Sequence, residues 1–83
     1  MTYFVYLIGN YRKLKLTTYV GYTNNLKKRI DLHNNGTGAK FTRGRNWKLL
    51  YYEEHPTKKE AILRECNIKK NKKLRNSIKD KYK

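Results

Sequence analysis

The sequence predicts an α+β fold: a small three-stranded antiparallel sheet with helices packed on it, in the order β-β-α-β-α-α. Three observations carry that prediction. Apolar, aromatic and β-branched runs at residues 3–8, 16–22 and 47–52 read as strands. The polar connection between the first two is too short for a crossover, so they pair antiparallel. Elsewhere, apolar residues recur at spacings of three and four behind capping residues, as helices require.

Each element has its own justification. "YFVYLI" is continuous rather than alternating, which marks a well-buried strand. "GNYRKLK" reads as the hairpin connection, with Gly9 and Asn10 as turn residues. "LTTYVGY" is the second strand, and Gly21 near its end marks a place where a side chain would block another backbone or a ligand. Thr23 and Asn24 are N-cap residues for a helix carrying Leu26, Ile30 and His33, which "NNGTG" at 34–38 stops. "WKLLYY" is the third strand, with Trp47 anchoring the core. Pro56 punctuates, and Thr57 with Glu60 forms a T-x-x-E capping box. The helix behind it has Ala61, Ile62 and Cys66 as its apolar face, with Glu65 on or beside that face. Leu74, Ile78 and Tyr82 recur every four residues, which predicts a basic C-terminal helix over about 70–82. The 83 residues make a single domain, 1–83, without internal repeats.

Charge narrows the class of partner. Lys and Arg number 21 against six Asp and Glu, a formal net charge of +15. Such a charge opposes compaction and favours polyanions, nucleic acid first and an anionic membrane surface second. No apolar run reaches the length of a spanning helix, and "MTYFVYLIGN" lacks the basic start of a secretory leader. The lone Cys66 excludes an internal disulfide and a cysteine-rich zinc site, fits a reducing, cytoplasmic setting, and reads as a small core residue. "NNGTGAKFTRGR" puts Lys40, Arg43 and Arg45 on a glycine-containing loop suited to phosphate contact or equally to a flexible surface loop, without Walker spacing.

With six acids, each can be weighed in turn. Glu60 belongs to the capping box, Asp80 lies among lysines, Asp31 turns to solvent, and Glu53 with Glu54 closes the third strand in exposed positions. Glu65 is left on or beside a helix face where an unpaired carboxylate is costly, so it should meet a basic side chain or a metal ion unless it is a partly exposed flank of that stripe. Hard divalent ions favour carboxylate oxygens and keep several waters, so one carboxylate suffices beside a phosphate. Arg29 and His33 are one turn apart on the same side of their helix. Arginine can grip a phosphate bidentately and histidine can move a proton near neutral pH, although a surface arginine and a half-buried histidine give the same spacing. Alternation places Tyr6 with Phe4 and Ile8 on one face, and Tyr19 with Gly21 on one face. Core packing and chemistry both remain open for the two tyrosines.

The combination carries more than its parts. Val5-Tyr6-Leu7 in the first strand followed by Tyr19-Val20-Gly21 in the second resembles the paired signatures of the GIY-YIG nuclease family. The resemblance runs through "GYTNNLKKRIDLHNNGTGAKFTRGRNWKLLYYE" to "EAILRECNIKK", which is similar to the helix bearing the family's acidic residue, and covers about residues 2–75. It looks like the small stand-alone members, similar to the N-terminal nuclease module of the bacterial excision-repair incision subunit. The resemblance implies a metal-dependent endonuclease hydrolysing phosphodiester bonds of DNA, in repair or recombination. Tyr6 and Tyr19 would be the paired active-site tyrosines, Arg29 would meet the scissile phosphate, His33 would handle a proton, and Glu65 would bind Mg²⁺ or Mn²⁺. Gly21 would let DNA approach, and Lys28 would add a cation beside Arg29. The first signature lacks its glycine and isoleucine and the hairpin is long and basic, but every catalytic group is present. No separate recognition domain fits in 83 residues, so weak sequence selectivity is expected, with DNA structure or a protein partner directing the enzyme. DNA is the expected partner, with RNA left open and no membrane. The competing readings are a non-catalytic nucleic-acid-binding module of the same fold and, more weakly, a protein adaptor. Glu65 argues against plain binding, which has no use for an anion.

Overall fold

The continuous apolar run near the N-terminus becomes the central strand of the sheet in the computed structural model, which describes residues 2–12, 15–36 and 46–81. The elements are β1 (Tyr3–Arg12), β2 (Lys15–Thr23), α1 (Leu26–Asn34), β3 (Lys48–His55), α2 (Lys58–Lys70) and α3 (Lys72–Lys81), in the predicted order. The strands lie β2-β1-β3, with both pairings antiparallel. Helices cover both faces of β1, so every residue from Val5 to Asn10 is buried and the usual alternation disappears.

The two faces carry separate cores. On one, Tyr6, Ile8 and Trp47 pack with Leu26 and Ile30 of α1. On the other, Val5, Leu7 and Val20 meet Ala61 and Ile68 of α2 and Ile78 of α3. Trp47, which the sequence placed in the core, is buried just ahead of β3. Its backbone N–H donates to Asn34 Oδ1 (2.6 Å) and its carbonyl accepts from Asn34 Nδ2 (3.2 Å), tying the end of α1 to the start of β3. No helix among the described residues is long and apolar enough to cross a membrane.

Several local expectations change. Gly9 and Asn10 are not turn residues: they pair with Thr18 and Thr17, and β1 continues to Arg12 opposite Lys15. A Cβ on Gly9 would lie 2.5 Å from Leu50 Cδ1, so this glycine serves close packing under a leucine that the β-bulge between Leu7 and Ile8 displaces. The N-cap of α1 is Asn25, whose Oδ1 accepts from the Lys28 N–H at 3.1 Å, rather than Thr23 or Asn24. Thr23 instead takes the Asn25 N–H on its hydroxyl (3.1 Å). Helix α1 stops where predicted, with Gly36 in the left-handed region at φ 80°. Thr57 caps α2 by accepting from the Glu60 N–H at 3.2 Å. The predicted apolar face of α2 is corrected: Ala61 and Ile68 point inward with Arg64 and Glu65 between them, while Ile62, Leu63 and Cys66 are exposed.

Arg64 explains that rotation. Its Nε and Nη2 donate to Glu53 Oε1 and Oε2, both at 2.8 Å, a bidentate grip from α2 onto β3. The Tyr51 hydroxyl donates to Glu53 Oε2, and His55 Nε2 lies 3.1 Å from Oε1. Glu53 is therefore the half-buried centre of a network, not the exposed strand end read from the sequence. The Arg64 hydrogen bonds draw its carboxyl down to about 2 against the opposing effect of burial, with Tyr51 and His55 assisting. A group depressed this way adds stability that is present above its unfolded value of 4.5 and is lost as pH falls toward about 2. Arg64→Met should cost about 1–3 kcal/mol at neutral pH. It should also flatten the fall in melting temperature between those two pH values. Thermal melts across a pH series check this, and an unchanged acid slope would detach Glu53 from acid stability.

Candidate active site

Two registers bring the tyrosines together. Tyr6 of β1 pairs with Gly21 of β2, and Ile8 pairs with Tyr19, so both phenols stand on the face that α1 covers. The Tyr6 ring runs directly over Gly21: a Cβ there would lie 2.4 Å from the hydroxyl oxygen and 2.7 Å from Cζ. The space at Gly21 is therefore taken by Tyr6, not held open for a DNA backbone. Gly21→Ala should destabilise the fold by about 1–3 kcal/mol through overpacking. A thermal melt reads the effect, and an unshifted Tm would show that Tyr6 can step aside.

Tyr6 cannot easily do so, because its hydroxyl is hydrogen-bonded to His33 Nε2 at 2.8 Å, with both residues buried. The Tyr19 ring meets the His33 ring edge-on, centroids 5.1 Å apart, and Tyr6 lies 5.8 Å from it, tilted. Burial pushes the Tyr6 phenol up to about 12, against the pull of the Arg29 guanidinium and with Tyr19 and the Glu65 carboxylate adding to the rise. His33 is held below its ordinary value, first by burial and then by the Arg29 charge. Both shifts favour a neutral pair at neutral pH, with one proton lying between phenol and imidazole.

Arg29 stands one turn before His33 and is half-buried. Its Nε is buried without a hydrogen-bond partner among the described residues. Arg29 lines two adjoining clefts. One, of about 380 Å³, includes Tyr22 and Lys58; the other, of about 190 Å³, includes Asn25 and Lys28. Lys28 is exposed and lines the second cleft with Arg29. A larger cleft of about 490 Å³ lies further along β1 between Gly9, Leu16 and Leu50 and touches none of the candidate residues. Two leucines, two asparagines, Tyr11 and Lys48 line it, with no acid among the described residues.

Glu65 arrives from α2 on the other side of the sheet, close enough for its charge to raise Tyr6. Its Oε1 is 2.7 Å from Lys69 Nζ, one turn on. Of the two cations weighed for Glu65, a basic side chain is in place. The donor set also admits a metal of one kind. No group of three or more His, Cys, Asp or Glu among the described residues could cage an ion. A hard divalent cation that keeps waters and shares a substrate phosphate needs only Glu65, and a zinc-type site does not fit.

Tyr6, Tyr19, Arg29 and His33 are thus brought together, with Glu65 near enough for its charge to reach Tyr6. Lys40, Arg43 and Arg45 lie outside the described residues. Sequence reasoning missed Lys58 beside Arg29, Lys69 on Glu65, and the Glu53–Arg64 grip. The E-x-x-x-K spacing of residues 65–69 was a usable signal for the second; the third joins positions eleven apart with no local pattern.

Comparison with known proteins identifies a family. The profile of the GIY-YIG catalytic domain matches residues 2–80. A UPF0213 protein of Clostridium perfringens is 60% identical over 53 residues, covering 63% of this chain and 57% of the relative. A UPF0213 protein of Bacillus pumilus is 52% identical over 52 residues, covering 61% of this chain and 53% of the relative. The matched part spans little more than half the length of these curated relatives. The solution NMR structure of the UPF0213 protein from Bacillus halodurans is 32% identical with a TM-score of 0.52, covering 100% of this chain and 86% of that one.

Proposed function

We propose that this chain, which belongs to the GIY-YIG catalytic domain family, is a divalent-metal-dependent endonuclease acting on DNA with weak sequence selectivity, in repair or recombination. The carrying observation is the buried Tyr6–His33 hydrogen bond with Tyr19, Arg29 and Glu65 arranged around it. A chain selected only to bind nucleic acid has no need of a dry phenol–imidazole pair.

The residues divide by exposure. Tyr19, Arg29 and Glu65 are half-buried and form the part a phosphate meets; Tyr6 and His33 lie beneath them. Arg29, which lines both clefts, would turn its guanidinium charge to a phosphate oxygen, where it opposes charge that grows as water attacks. With its phenol near 12, Tyr6 is not a ready base. It can take a proton from water only while passing its own to neutral His33 Nε2, leaving imidazolium behind. That relay requires His33 unprotonated, so activity should fall as pH drops through its lowered value. Glu65 would hold Mg²⁺ or Mn²⁺, which when bound neutralises phosphate charge and acidifies a bound water.

One observation favours the alternative, a non-catalytic nucleic-acid-binding module: Lys69 already satisfies Glu65, which removes the objection to an anion near phosphates. A nicking assay on supercoiled, flapped and branched DNA, with and without Mg²⁺ or Mn²⁺, separates the two. Metal-dependent nicking is expected, alongside binding whose log affinity falls with log salt at a slope of roughly −4 to −5 for about five phosphate contacts. Salt-sensitive binding with no nicking on any substrate would establish the module instead.

A further inference from the structure

The Glu65–Lys69 ion pair bears on how the site is loaded. Glu65 is the acid whose charge reaches Tyr6, and its side chain is only 14% exposed. Lys69 holds Oε1 at 2.7 Å, yet its own side chain is 50% exposed on the solvent side of α2. The carboxylate is fixed by its surroundings, whereas the lysine ends in water on a flexible stem. An ammonium and a divalent cation cannot share one carboxylate oxygen without strong mutual repulsion. We propose that Lys69 is a built-in counter-ion of the metal site, which an incoming divalent cation must displace from Glu65, so that Lys69 sets the cation concentration at which the site fills. This inference rests on the metal-dependent reading above.

Two consequences follow from the geometry. In the metal-free protein Lys69 keeps a half-buried carboxylate satisfied, so the site need not be distorted before loading. Once displaced, the ammonium remains one helical turn from Glu65 and leaves a further cation near the loaded site.

The test is Mn²⁺ binding to the full chain in complex with a non-cleavable DNA analogue, with the DNA alone as the blank, read from the electron paramagnetic resonance signal of free Mn²⁺. Lys69→Met and Lys69→Gln should each tighten Mn²⁺ binding by about five- to tenfold, the scale of a coupling between two ligands of one site. Lys69→Arg, which keeps the ion pair, should stay near the wild-type affinity. The Mn²⁺ concentration giving half-maximal nicking should fall in parallel in the first two. If Glu65→Gln abolishes Mn²⁺ binding while Lys69→Met and Lys69→Gln leave it unchanged or weaker, the counter-ion role is overturned and the metal site stands. Absence of saturable Mn²⁺ binding to wild type, or binding indifferent to Glu65→Gln, overturns the metal reading itself and the inference with it.

Discussion

Glu65→Gln should reduce metal-dependent nicking by roughly two to three orders of magnitude, the scale of losing one strong transition-state stabiliser. The substitution keeps shape and removes the charge a cation would need. It also dissolves the ion pair to Lys69, but a pair with one partner half in solvent is worth only about 0.3–0.5 kcal/mol. The folded fraction should therefore barely change, and a melt on the same preparation establishes that. DNA binding without metal should hold or tighten, since an anion has left a phosphate site. Glu60→Gln, at the cap of the same helix, controls for helix stability. A folded Glu65→Gln protein that nicks at the wild-type rate would take Glu65 out of the active site and remove most of the case for an enzyme.

Arg29→Ala should lower nicking by about a hundredfold or more while DNA affinity changes only a few-fold. Many lysines share the attraction for the ground-state backbone, whereas the Arg29 Nε–H has no other partner among the described residues. The pH profile supplies an independent reading. Arg29 helps hold His33 down, so its removal should raise the His33 value and shift the acid limb of the rate profile to higher pH. The same change lifts Tyr6 further, against release of its own proton to His33. Losses of equal size in nicking and binding, with no shift of the acid limb, would reduce Arg29 to one backbone contact among many.

Much of this site was legible in the sequence because its parts obey local periodicities. Period two puts Tyr6 and Tyr19 on defined strand faces, and one helical turn relates Arg29 to His33. Other features depend on pairs distant in sequence, which no window reveals. Gly9 and Asn10 have turn chemistry, yet they sit in a central strand because Leu50 covers one and Thr17 pairs with the other. The inward face of α2 was misassigned because Ile62 and Cys66 are apolar by type, whereas Arg64 finds Glu53 on β3 and turns them outward. Glu65 was readable as needing a cation, since desolvation makes that demand wherever the fold places it. Which cation it found required coordinates.

The passage of the Tyr6 ring over Gly21 has a consequence for how such chains can diverge. The two signature positions share one volume, so neither can vary as though the other were absent. A Cβ appearing first at position 21 collides with a phenol anchored to His33, and the intermediate is destabilised. A smaller residue appearing first at position 6 empties the space, after which position 21 is free to drift. Lineages that abandon the chemistry should therefore lose the tyrosine before the glycine. A glycine surviving opposite a replaced tyrosine would be the trace of a site recently given up, while the reverse order should be rare.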